Sequence, residues 1–193
     1  MTEHKFDIYI TGVGGQGIGL FSEALIRAAD HAGLVVGGVD THGLAQRGGA
    51  VVSHVRIGPA YSPLIRRGCA DLAISLESYE ALRALQEYLA DAKTLLYYDV
   101  RWQPLSVRLG KESPLTDDFI RQECLRRNIR EIRVAPESLT DSRMQNTVLL
   151  GYLAKEALIP GVKLQHYEAA LNDLMQGSML EQNLALLQKI ASA

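Results

Sequence analysis

Residues 6–19 read Phe6-Asp7-Ile8-Tyr9-Ile10-Thr11-Gly12-Val13-Gly14-Gly15-Gln16-Gly17-Ile18-Gly19, and the fold turns on them. Phe6 to Thr11 alternates in hydropathy and runs into glycine, the pattern of a strand. From Ile18 the period changes. Ile18, Phe21, Leu25, Ala28 and Ala32 fall on one helical face, and Gly33 ends that helix. Between strand and helix, Gly12, Gly14 and Gly17 fit G-x-G-x-x-G in its required context. Glycine permits positive φ and close backbone approach, and the helix N-terminus behind it presents free N–H groups to an anion. Two readings stand side by side: a nucleotide or phosphate loop, or a tight strand–helix turn. Asp40 closes the next strand, where a dinucleotide fold carries its ribose ligand. Against a dinucleotide, no Tyr-x-x-x-Lys and no evident His–Asp pair follows.

Working outward, Leu34–Asp40 and Ala50–Ile57 read as strands two and three. The roughly ten residues between them are too few for a parallel crossover, so they pair antiparallel and the sheet is mixed. Further strands are expected at Asp71–Leu76, Thr94–Asp99 and Glu131–Ala135. Helices are expected at Tyr79–Leu89, Asp117–Arg127, Ser142–Leu158, Leu164–Met175 and Met179–Ala191. The alternation predicts an α/β, three-layer Rossmann-like domain with a mostly parallel, mixed sheet and extra C-terminal helices. No Pro/Gly/Ser-rich linker divides the chain, so residues 1–193 are expected to form a single domain.

Composition narrows function. The 193 residues carry a net charge of −2 and are 47% hydrophobic. The near-neutral balance argues against nucleic acid as a partner. No apolar run nears the ~18 residues of a membrane span, and no signal-peptide pattern is present, so a cytoplasmic location is expected. Cys69 and Cys124 are too few for an iron–sulfur cluster, which takes about four thiolates. The five histidines show no metal-ligand spacing, and no metal site is expected in this chain.

The loop between strands two and three, Asp40-Thr41-His42-Gly43-Leu44-Ala45-Gln46-Arg47-Gly48-Gly49, joins hydrogen-bonding side chains to a fixed cation and two glycines. If the first two strands are adjacent, this loop and the glycine loop share one crevice at the carboxyl edge of the sheet. Gly12, Gly14, Gly15, Gln16, Gly17, Thr41, His42, Arg47, Gly48 and Gly49 are therefore the candidate binding residues. Arg47, Arg56, Arg66 and Arg67 face only Asp40 between positions 40 and 68, giving that region local positive charge. Arg126, Arg127 and Arg130 read as a solvated helix end. Trp102 reads equally as an interface anchor or as a core residue.

Three motifs in order carry a resemblance: GVGGQGI, then THGLAQRGGAVVSHVRIG, then SPLI followed by GCADLAISLE, with Asn146 and Leu150-Gly151 in support. Over about residues 6–160 the sequence resembles the gamma domain of the 2-oxoacid:ferredoxin (acceptor) oxidoreductases, which act on pyruvate, 2-oxoisovalerate, 2-oxoglutarate or indolepyruvate. It is also similar to the small subunit of the indolepyruvate enzymes, whose gamma-type domain is a separate chain. The resemblance implies an accessory subunit with no catalytic residues of its own, inactive alone. Thiamine diphosphate, magnesium and iron–sulfur clusters would lie in partner catalytic subunits, with ferredoxin as an indirect partner. Coenzyme A would meet this chain at the subunit interface. The alternative is an independent dinucleotide-binding Rossmann-type oxidoreductase or binding module.

Overall fold

The computed structural model describes residues 5–42, 49–111, 113–135, 139, 141 and 144–193. β1 (Phe6–Val13), β2 (Val36–His42), β3 (Ala50–Ile57), β4 (Ala70–Ser75), β5 (Leu89–Tyr98) and β6 (Arg130–Val134) form one sheet in the order β2-β3-β1-β4-β5-β6. β3 runs antiparallel to both β1 and β2, while β1, β4, β5 and β6 are mutually parallel. The sheet is mixed, as the short β2–β3 connection requires. The expected adjacency of β1 and β2 does not hold. β3 lies between them, because an antiparallel return after β2 brings the chain back beside β1 before it crosses to β4.

Alternation along the strands makes two cores. Ile8, Ile10, Leu72, Ile74, Leu96 and Tyr98 face one side, beneath α1 (Ile18–His31), α5 (Gln145–Lys155), α6 (Leu164–Leu174) and α7 (Gly177–Ala191). Tyr9, Ala73, Leu95 and Tyr97 face the other, beneath α2 (Ser78–Glu87) and α4 (Asp117–Arg126). Both sheet faces are covered, giving the three layers expected of an α/β domain. The supporting residue Gly151 has a packing reason. A Cβ there would stand 2.7 Å from Ile190 Cβ, so its absence lets α5 and α7 meet closely.

Boundaries shift where patterns mislead. The strand expected at residues 34–40 occupies Val36–His42 instead. β5 starts at Leu89, which pairs with Ala70 before a register irregularity; pairing resumes at Leu72↔Thr94. A short helix α3 (Leu105–Arg108), four residues long, was not legible: one turn is too brief to show periodicity.

Several charged residues turn out to be structural. Arg56 is not part of a free cationic patch. Its Nε and Nη2 reach Asp7 Oδ1 and Oδ2 at 2.8 and 3.0 Å, and Asp7 is buried. Arg67 pairs with Glu87 at 3.2 Å. Arg127 is no solvated helix end either. It pairs with Asp91 and donates to the Leu85 and Leu89 carbonyls, closing the C-terminus of α2.

Candidate functional site

The parallel strands all end at one edge of the sheet, and β1 is the switch point, with β3 on one side and β4 on the other. Open α/β sheets bind ligands at such a point. Here the glycine loop leaves β1 beside the end of β4. Gln16 staples the two: its Oε1 accepts the Val13 N–H at 2.7 Å and its Nε2 donates to the Leu76 carbonyl at 2.9 Å. Its amide therefore works for the scaffold, and the side chain is buried.

The glycines divide their labour. A Cβ on Gly12 would stand 2.6 Å from Ile18 Cδ1 and 2.9 Å from Gln16 Oε1, so both side chains would have to shift to admit one. Gly17 caps α1 with φ +79°, a left-handed conformation that L side chains avoid. Gly14 is not among the left-handed glycines. Its role is a hydrogen bond: its N–H donates to the Gly49 carbonyl at 2.8 Å. The two candidate loops do meet, through the β1–β3 ladder rather than through adjacent β1 and β2.

The second loop is partly described. In register, Thr41 lies opposite Val52, which in turn lies opposite Thr11; His42 is opposite Val51, which is opposite Gly12. One strand thus separates Thr41 and His42 from the glycine loop. Arg47 and Gly48 lie outside the described residues. Asp40 does not close β2 and, with β3 between β2 and β1, does not take the ribose position of a dinucleotide fold; it accepts from Ser22 Oγ at 3.1 Å.

Beside the glycine loop lies a crevice of about 420 Å³, lined by Gly15, Gln16, Gly17, Leu20, Val100, Trp102, Gln145 and Asn146. The first intrahelical bond of α1 runs from the Phe21 N–H to the Gly17 carbonyl, so the amides before Phe21 stand outside the ladder. Asn146 Nδ2 donates to the same carbonyl at 3.1 Å. Asn146 Oδ1 is buried and has no partner among the described residues. The crevice thus offers helix-end donors, and behind its wall lies one buried, unpartnered acceptor.

Its far wall depends on a residue the sequence reading missed. Glu77 is fully buried and accepts the N–H groups of Glu80 and Trp102, each at 2.9 Å. Burial pushes its carboxyl above the ordinary glutamate range, although those amides pull the other way. Buried Glu80 is also raised by burial, opposed by Arg83 and by the Thr11 hydroxyl at 3.3 Å. The only hint was Glu77 three residues before Glu80, the spacing of an acidic helix cap.

No group of three or more His, Cys, Asp or Glu able to hold a metal gathers among the described residues. Cys69 is exposed and Cys124 buried on α4. The residues present do not fit an iron–sulfur cluster.

With this geometry in view, relatives become informative. Residues 7–193 match the pyruvate ferredoxin/flavodoxin oxidoreductase family. The indolepyruvate oxidoreductase subunit IorB of Archaeoglobus fulgidus is 35% identical over 189 residues, covering 95% of this chain and 92% of that protein.

The chain belongs to the pyruvate ferredoxin/flavodoxin oxidoreductase family.

Solved structures agree on the fold of this family member. The gamma subunit of a keto/oxoacid ferredoxin oxidoreductase from Geobacter sulfurreducens superposes with a TM-score of 0.67 at 20% identity, covering 97% of this chain and 96% of that one. A 2-oxoglutarate:ferredoxin oxidoreductase from Magnetococcus marinus covers 100% of this chain with 31% of its own, at TM-score 0.66 and 17% identity. The resemblance read from the three motifs is borne out.

Proposed function

We propose that this chain is the gamma-type accessory subunit of a 2-oxoacid:ferredoxin (acceptor) oxidoreductase complex, of the indolepyruvate type. The observation that carries the reading is the match to IorB over nearly the full length of both chains. The chain folds as one unit and packs on the catalytic subunit. That subunit holds thiamine diphosphate with its magnesium and passes electrons through iron–sulfur clusters to ferredoxin. A 2-oxoacid is decarboxylated there, and its acyl group leaves on coenzyme A. No membrane or nucleic acid takes part, and the complex works in the cytoplasm. No residue of this chain does the bond chemistry.

Its contribution is a wall of the site. The amides of Gly15 and Gly17 and of the first turn of α1 supply donors, and Asn146 Oδ1 supplies an acceptor. A ligand group with both functions, such as a coenzyme A amide, suits that pair. Thr41, His42, Arg47, Gly48 and Gly49 form the second polar segment, with Arg47 as the anion contact, since its planar fork suits phosphate or carboxylate.

Steady-state kinetics of the assembled complex test this. Arg47→Ala should raise the coenzyme A Michaelis constant or lower turnover about tenfold, the loss of one charged contact of roughly 1.5–3 kcal/mol. Wild-type values for both would make Arg47 a surface residue.

A further inference from the structure

Residues 99–111 hold apolar surface that neither core uses. Trp102, the chain's single tryptophan, is 55% exposed, Leu105 67% and Leu109 58%. Leu105 and Leu109 are one helical turn apart, while Val107 between them is buried. α3 thus sends its valine inward, while its Leu105 and the capping Leu109 face solvent. Past Val107 the same surface enters a groove of about 370 Å³, whose lining includes Tyr79, Leu82, Leu115 and Phe119.

An exposed tryptophan on a loose loop would mean little, but this one is fastened. The Ser78 N–H donates to the Val100 carbonyl at 2.9 Å, and the Trp102 N–H to the buried Glu77 carboxylate at 2.9 Å. Arg101 Nη1 donates to the Leu115 carbonyl at 3.1 Å. Burying a carboxylate is costly. Here it holds the backbone of an exposed aromatic, so the anchor is ordered before any partner arrives, which removes an ordering cost from binding.

Beside the exposed leucines the charge is cationic. From Arg101 to Lys111 the sequence carries Arg101, Arg108 and Lys111 and no carboxylate. Asp99 precedes this stretch and pairs with Arg101 at 3.9 Å, and Glu112 follows it in the sequence. Trp102 also lines the glycine-loop crevice, so a protein that closes the crevice must cover Trp102.

We propose that Trp102, Leu105 and Leu109, rimmed by Arg108 and Lys111, form the surface on which the catalytic subunit docks, meeting an apolar centre with an acidic rim. This rests on the reading of the chain as an accessory subunit. Tryptophan and leucine fill the dry centre, and the cations steer the approach.

The test measures association of the full-length chain with the co-expressed catalytic subunit of the same complex. Trp102→Ala and the double variant Leu105→Ala/Leu109→Ala should each weaken binding by about tenfold or more, with unchanged melting temperature because the side chains are exposed. Arg108→Glu should slow association and flatten its salt dependence. Leu125→Ala, at an equally exposed leucine on α4, should bind as wild type. Failure of the wild-type chain to bind the catalytic subunit overturns the subunit reading itself. Wild-type binding by the Trp102 and Leu105/Leu109 variants overturns this surface and leaves the subunit reading standing. A wild-type chain that sediments as a dimer, made monomeric by Trp102→Ala, assigns the face to a second copy and overturns the proposal.

Discussion

The Gly14 N–H donates to the Gly49 carbonyl at 2.8 Å. This bond continues the β1–β3 ladder one step beyond the Val13↔Ala50 pair, past the end of both strands. It fixes where the glycine loop begins its turn and where the second loop rejoins the sheet. The Gly14 amide should therefore exchange with deuterium much more slowly than that of Gly15, which sits at the open crevice. Site-resolved hydrogen exchange reads this directly; equal rates would mean the loops are not joined.

The same geometry separates glycines that look alike in sequence. Gly12→Ala must push aside Ile18 Cδ1 at 2.6 Å and Gln16 Oε1 at 2.9 Å. The overpacking should cost about 1–3 kcal/mol and disturb the Gln16 staple. Gly17→Ala should cost about 1–3 kcal/mol through φ +79° alone. Urea denaturation of the two variants checks this, and wild-type stability at position 12 would contradict the packing account.

Stability should peak in mildly acid solution. Burial raises the Glu77 and Glu80 carboxyls above 4.5, so in that window the native state binds more protons than the unfolded chain. Their contribution falls as pH rises through the folded values. Asp7 behaves oppositely: burial would raise it, but Arg56 and Lys5 together hold it below 3.8. Its contribution is present above 3.8 and lost as pH falls toward the folded value. Melting curves across pH should show both limbs. Asp7→Asn should remove the acid limb and Glu77→Gln should flatten the neutral one; unchanged slopes would refute the assignments.

Removing Arg56 should be expensive. Arg56→Met leaves the buried Asp7 carboxylate with Lys5, at 2.8 Å, as its one cation among the described residues. Breaking a buried pair from one side costs about 3–5 kcal/mol. A loss under 1 kcal/mol in chemical denaturation would show the pair to be effectively solvated.

The α/β alternation and the mixed sheet were legible because each depends on local periodicity and on the length of one connection. Strand order was not legible. Nothing local in Val36–His42 or Ala50–Ile57 states that β3 slips between β1 and β2. The glycine loop was found by spacing, yet the work of its members differs: Gln16 staples β1 to β4, and Gly14 serves through its N–H. Arg56 looked free because its partner Asp7 is 49 residues away along the chain. Glu77 holds the crevice residue Trp102, 25 residues away, through one hydrogen bond to its backbone N–H, a contact that no sequence spacing encodes.

The central claim is that this chain acts only as part of a complex. The most direct measurement is 2-oxoacid-dependent, coenzyme A-dependent reduction of a viologen dye, with indolepyruvate as first substrate. It is run on the purified chain, on the catalytic subunit and on the two combined. The account predicts no reduction by this chain alone and full activity only in the combination. Reduction by this chain by itself, or a catalytic subunit whose rate is unchanged by adding it, would contradict the account.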